Sequence, residues 1–306
     1  MAKENNFDKF MNYKVKTCRV GVKSHSMLYK HYLPEMRKKE GIIVFVGGGG
    51  HTMKIWEETP DGQKGWAHIF AEKGRELITV DWVCGSPNAY QCSTEELCTL
   101  TQRENMDLIR QVIMEEVGNE RKVIFFGWSM GGPQVFVLAA DFLSQRISAI
   151  LGYAATGPLN YYYPTATDSS LPMDLNSPYL IPRATIDKIC DSPLFPQEYK
   201  EKYIKEYLVP IPPLMVAIQK KRKEVENKWD ILTVKNPKNI PPVFLVNGSR
   251  DLSGVRKGKL LKKWLRQFQD DVTSAYIEGF CHLGMSCRGG EKVVDLYLDW
   301  LSERNL

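Results

Sequence analysis

Short apolar runs alternate with longer amphipathic stretches along this chain. The segments "GIIVFV" (41–46), "KVIFF" (122–126), "ISAILGY" (147–153) and "PVFLVN" (242–247) are almost wholly apolar. Strands buried on both faces of a parallel sheet have this composition, whereas half-solvated strands alternate. "ELITVDW" (76–82) and "VTSAYIE" (272–278) repeat the theme. Ahead of them, "KVKTCRVGV" (14–22) and "SMLYKHYL" (26–33) flank a polar turn and predict an initial hairpin.

Helical patterns fill the gaps. Residues 101–117 carry Met106, Ile109, Val112 and Ile113 at i, i+3, i+4 spacing, and 134–144 and 289–302 behave likewise. Strand then helix, repeated, predicts an α/β protein with a mostly parallel sheet of about eight strands and helices on both faces. One interval breaks the rhythm. Residues 158–241 hold "NYYYP", "DSPLFP" and "VPIPP" and run far beyond the length of a crossover helix. They predict an inserted, partly helical cap over a core formed by 1–157 and 242–306.

Composition narrows the class. A hydrophobic content of 43% supports a sizeable core, and the net charge of +5 is mild. Much of that charge sits in "KKRKE" (220–224) and "KGKLLKK" (257–263), which read as solvated helix faces. No base-stacking module or zinc-finger spacing accompanies them, so neither nucleic acid nor a membrane is an expected partner. The seven cysteines form no C-x-x-C and predict reduced thiols in a cytoplasmic protein. "MAKENNFDKFMNYK" lacks the apolar core of a signal peptide, and no run approaches the roughly 20 apolar residues of a membrane span. No metal or cofactor is expected, and a homodimer stays open.

The candidate chemistry begins at "FFGWSMGG" (125–132). Ser129 stands between Gly127 and Gly131, after an apolar strand and before a helix, which is the setting of a G-x-S-x-G nucleophile elbow. Pro133 suits the first helical turn. A serine hydroxyl needs a histidine base held in one tautomer by an acid. Of five histidines, His282 in "EGFCHLGM" falls between the last strand and the last helix, where the base belongs in the chain order Ser…Asp…His. Asp251 in "VFLVNGSRD" follows the preceding strand. It reads either as the acid or as the N-cap of the next helix. "VFVGGGGHT" (44–52) places four glycines at a strand end, matching neither a P-loop nor G-x-G-x-x-G. Their exposed backbone makes Gly48 and Gly49 candidate oxyanion donors together with Met130, the residue after the nucleophile.

With these residues assembled, the chain resembles the α/β-hydrolase superfamily over nearly its whole length. "WEETPDGQKGWAHIFAEKG" (56–74) is similar to the W-x-x-T-P-D-G-x-x-G-W segment of a group of microbial esterases, where it also follows the oxyanion loop. "GFCHLGM" looks like their histidine loop, and "DWVCGSP" (81–87) like the loop after the fourth strand. The resemblance implies a hydrolase acting on small esters, with Ser129 as nucleophile and His282 as base. By leaving-group chemistry, esters or lactones are expected ahead of amides, because an alkoxide leaves without nitrogen protonation. Some of that group take the acid from a glutamate after the sixth strand. "GYAATGPLN" (152–160) offers no carboxylate, which returns the role to Asp251. "DWVCGSP" lacks the usual second glycine, so Cys84 is expected at the pocket. Trp128, Tyr161 and Tyr162 complete the expected substrate site, for which an aromatic or cyclic substrate is a natural occupant. The same triad serves C–C bond hydrolysis, amide hydrolysis or acyl transfer, and the fold also carries non-catalytic receptors.

Overall fold

A computed structural model describes residues 12–22, 25–37, 41–82, 93–160, 174–219 and 223–306. Among them, eight strands form one sheet: β1 (Tyr13–Val22), β2 (His25–Pro34), β3 (Ile42–Val46), β4 (Leu77–Val80), β5 (Val123–Trp128), β6 (Ile147–Tyr153), β7 (Val243–Gly248) and β8 (Val272–Ile277). Their order is β1-β2-β4-β3-β5-β6-β7-β8. The hairpin β1–β2 joins antiparallel to β4, and every later pairing is parallel.

The apolar runs follow from two-sided burial. Ile42, Val44 and Val46 of β3 enter one core layer, while Ile43 and Phe45 enter the other. In β5, Val123 and Phe125 share the first layer, and Ile124, Phe126 and Trp128 the second. Because successive side chains point to opposite faces, neither face of these strands tolerates a polar residue.

Helices α1 (Lys54–Glu57) and α2 (Trp66–Glu72) lie between β3 and β4, and α3 (Thr94–Thr99) and α4 (Gln102–Val117) precede β5. The α4 helix starts at a capping box in which Thr101 and Glu104 satisfy each other's backbone N–H groups. After β5 comes α5 (Gly131–Val137), shorter than the pattern over 134–144 predicts, because its continuation Leu138–Phe142 widens into a π-turn. There Leu143 N donates to Leu138 O at 2.8 Å, and Asn239 Nδ2 reaches Ala140 O at 3.1 Å.

Between β6 and β7 the described chain is helical, with α6 (Arg183–Ile189), α7 (Lys200–Tyr207), α8 (Pro213–Gln219) and short 3-10 turns. The core resumes with α9 (Leu252–Leu265) after β7 and ends with α10 (Glu291–Ser302). Among the described residues, no helix is long and apolar enough to cross a membrane.

The segment 56–66 has a structural explanation. Thr59 Oγ1 donates to Asp61 Oδ1 at 2.6 Å and accepts from Gln63 N at 2.9 Å, closing a tight turn. That turn seats Trp56 and Trp66, both buried, against Phe126 of β5. It also docks the insertion, since Tyr207 Oη donates to Thr59 O at 3.0 Å.

The turn after β5 depends on one close backbone approach. A methyl at Gly131 would lie 2.7 Å from Gly47 O and closer still to Val46 O. Gly131→Ala should therefore force β3 and α5 apart and lower stability by about 1–3 kcal/mol, as overpacking does. Denaturant unfolding checks this; an unchanged midpoint would show that the two segments have room to separate.

Candidate active site

Ser129 sits at the carboxyl edge of the sheet, between β5 and α5, at φ +50°. That left-handed backbone is costly for a residue with a Cβ and persists only where the surroundings over-determine it. Here its carbonyl accepts from Gly132 N at 3.1 Å, Thr156 N at 3.1 Å and Thr156 Oγ1 at 2.9 Å.

The three residues expected to act together meet. His282 Nε2 lies 3.0 Å from Ser129 Oγ, and His282 Nδ1 lies 2.7 Å from Asp251 Oδ2. Asp251 is 9% exposed. It is also the N-cap of α9, its Oδ1 accepting from Gly254 N at 2.9 Å. The two readings of Asp251 thus hold at once, one oxygen for each partner. Burial opposes its ionisation, yet His282, Gly254 N–H and the nearby Lys257 hold its carboxyl below the usual range.

Trp128 is fully buried, and its indole Nε1–H donates to His282 O at 3.0 Å. Its ring therefore fixes the loop that carries His282 as well as bordering the pocket. Gly48 lies flat against Trp128 and Ser129: a methyl there would stand 2.9 Å from the Trp128 ring and 3.0 Å from Ser129 Cβ. Gly49 packs against Met130 Sδ, and Met130 is the N-cap residue of α5. Gly48, Gly49 and Met130 thus border Ser129. Tyr161, Tyr162 and Cys84 lie outside the described residues.

A cavity of about 630 Å³ opens over Ser129. Ile181, Ile189, Ile211 and Val216 of the insertion form apolar walls, and Tyr179 adds an aromatic one. Lys188, Arg250 and Lys257 bring cations to it, with Asp191 about 3.4 Å from Arg250. Burial lowers the Lys257 ammonium, and Asp251 partly offsets this. Sequence reasoning missed these polar residues because a lone Lys or Arg after a strand has no spacing to mark it. Among the described residues, no three His, Cys, Asp or Glu side chains come together as metal ligands, and Cys18, Cys98, Cys190, Cys281 and Cys287 carry free thiols.

His51, set aside in the sequence as one of five histidines, also lines this cavity. Its Nδ1 is 3.0 Å from Gly49 O and its Nε2 is 2.5 Å from Tyr203 Oη. The signal for it was present in "GGGGHT", but nothing in that spelling names its partner 152 residues away.

The strand order, the crossovers and the serine turn together define the α/β-hydrolase fold. A model of the alpha/beta hydrolase fold family matches residues 41–178, a span that includes the glycine loop and Ser129. The structure is similar to that of the esterase RhEst1 from Rhodococcus sp. ECU1013, at TM-score 0.60 and 16% identity, covering 95% of this chain and 99% of the other. It is similar also to bromoperoxidase from Bacillus anthracis, at TM-score 0.57 and 13% identity over 93% of this chain and 100% of the other. A probable secreted lipase phiG from a fungal species (strain ATCC 74256) is 35% identical over 52 residues. That stretch spans 17% of this chain and 14% of the lipase. The structural likenesses, at such identity, establish the fold alone.

Burial pushes the His51 imidazole down to about 3, the hydrogen bond to Gly49 O opposing it and the His282 charge adding to it. Its folded value therefore lies below the unfolded value of about 6.5. The linked stability is fully present above that unfolded value and is lost as pH falls toward the folded one. Wild type should lose stability between about pH 6.5 and 3 more steeply than His51→Phe. Chemical denaturation across that window measures both slopes, and parallel slopes would count against a neutral buried His51.

Proposed function

We propose that the protein is a serine hydrolase that cleaves a small carboxylic ester or lactone through an acyl-enzyme. The observation that carries this reading is His282 standing between Ser129 Oγ and Asp251 Oδ2 at 3.0 and 2.7 Å. An ionised Asp251 only accepts, so the His282 Nδ1–H donates to it and Nε2 is left to take the Ser129 proton. Ser129 attacks the carbonyl, and the imidazolium that forms faces the Asp251 charge. His282 then returns the proton to the departing alkoxide, and water repeats the sequence to free the acid.

The oxyanion would be met by backbone N–H groups at Gly48 or Gly49 and at Met130, which border Ser129. Such donors stabilise charge only as it develops and are each worth about 10²–10³ in kcat. Esters and lactones fit better than amides, because an alkoxide leaves without the nitrogen protonation an amide demands. The cavity suits a small molecule, about 300–1,000 Å³ being the usual range. Residues 158–241 act as the cap in this reading, and Ile181, Ile211 and Val216 supply its apolar contacts.

Fluorophosphonate labelling with mass-spectrometric site mapping, and an ester, lactone and amide panel run on wild type and Ser129→Ala, test the proposal. Ser129→Ala should fold and lose several orders of magnitude in turnover, on the order of 10⁶ where a nucleophile has been removed elsewhere. Activity within about tenfold of wild type would refute the role. Asp251→Asn keeps the shape but invites the wrong His282 tautomer, so kcat should fall by about 10⁴. Asp174 is exposed and occupied by Asn176 N at 2.9 Å and Ser177 Oγ at 2.6 Å. Asp174→Asn should accordingly stay near wild type; the opposite ranking would move the acid into the insertion.

A further inference from the structure

The glycine loop after β3 is held from outside. Gly47 O accepts Trp82 Nε1–H at 3.2 Å, Gly49 O accepts His51 Nδ1–H at 3.0 Å, and Gly50 O accepts Val209 N–H at 3.0 Å. Four consecutive glycines have unusual backbone freedom, so such a loop does not hold one conformation unaided. Fixing a carbonyl fixes its whole peptide plane, including the N–H of the next residue. Trp82 therefore sets the plane that carries the Gly48 N–H, and His51 sets the plane just beyond the Gly49 N–H. Both candidate oxyanion donors lie within the stretch that these two side chains bracket.

His51 reaches further than Trp82. A carbonyl cannot donate, so the ring proton stands on Nδ1, and the neutral ring's Nε2 accepts the Tyr203 O–H at 2.5 Å. Tyr203 is buried in α7, within the insertion. The His51 ring also meets Trp128 edge-on, with centroids 4.6 Å apart. On either side of it the backbone is tied to the same part of the insertion: Val209 N to Gly50 O, and Thr52 N to Tyr207 O, both at 3.0 Å.

We infer that His51 is a positioning residue, which holds the 47–50 loop in place for the oxyanion and ties it to α7 through Tyr203. The inference rests on the hydrolase reading for the oxyanion and on geometry alone for the tie. Its consequence is that the insertion shapes the pocket and also sets the rate of the chemical step, since the donors that Ser129 needs are held from α7.

The test compares wild type, His51→Phe, Tyr203→Phe and the double variant on an ester that wild type cleaves, with rates expressed per Ser129 titrated by fluorophosphonate. His51→Phe keeps a ring of similar size and removes both hydrogen bonds. Donors that act on the transition state move kcat and leave KM. Its kcat should fall about 10–100-fold with KM within about twofold, a displaced donor costing less than a deleted one. Tyr203→Phe removes one oxygen and should lower kcat about 3–10-fold. The double variant should be no worse than His51→Phe, because the two residues form one chain of bonds. A kcat per titrated site unchanged in either variant, or a loss carried by KM, would overturn the inference, as would additive effects. Tyr203→Phe carries the test alone should His51→Phe not fold. Amide hydrogen exchange on the same variants needs no substrate. It should quicken in 47–52 and 200–209 and nowhere else, and unchanged exchange there would overturn the tie. A wild type that cleaves no ester and takes no fluorophosphonate would overturn the hydrolase reading and the oxyanion role with it, while exchange would still decide the tie to α7.

Discussion

The site depends on one backbone contact, Gly131 lying directly on the carbonyls of Val46 and Gly47. That approach presses the turn after β5 against the loop after β3. Ser129 stands two residues before this contact and takes φ +50°. Strain of this kind costs about 1–3 kcal/mol and is kept only where neighbours enforce it. The enforcement is visible in the three donors on Ser129 O, two of them from Thr156 in the loop after β6. A half-buried serine at a sheet edge, with glycine backbone alongside, is what results.

Most of the sheet was legible because its strands are buried on both sides. Ile42 to Val46 alternate between two core layers, and a fully apolar run is the only pattern that satisfies both. Strand order was not legible: β4 lies between β2 and β3, and no local pattern distinguishes that arrangement from a hairpin paired to β3. At the candidate site, Ser129, Asp251 and His282 could be named because each stands at a fixed place relative to a strand end. His51, Lys188, Arg250 and Lys257 could not, since what gathers them is tertiary folding. The turn around Thr59 was recognised by its spelling, but its physical work of seating two tryptophans and docking α7 needed the structure.

Two stretches of the chain meet at the cavity. The sheet edge supplies Ser129, His282 and Asp251, whose placement follows from backbone packing that tolerates little change. The segment between β6 and β7 supplies Ile181, Lys188, Ile211 and Val216, which line the cavity, with Ile181 and Ile211 also packed on Gly50. The glycine loop joins the two, its carbonyls bound partly by Trp82 and His51 and partly by Val209.

Asp251 shows how one helix end can serve both structure and chemistry. An N-cap aspartate must place one oxygen on the N–H groups of the first turn, here Gly254 N, which fixes the plane of the carboxylate. The second oxygen is then aimed without further adjustment, and His282 Nδ1 lies on it at 2.7 Å. Burial opposes the charge on Asp251, but His282, the Gly254 N–H and Lys257 hold the carboxyl below its usual range. An ionised Asp251 can only accept, which places the ring proton of His282 on Nδ1. That leaves Nε2 as an acceptor facing the hydroxyl of Ser129 at 3.0 Å. The helix cap thereby fixes which ring nitrogen of His282 faces Ser129, two residues away along the hydrogen-bond chain.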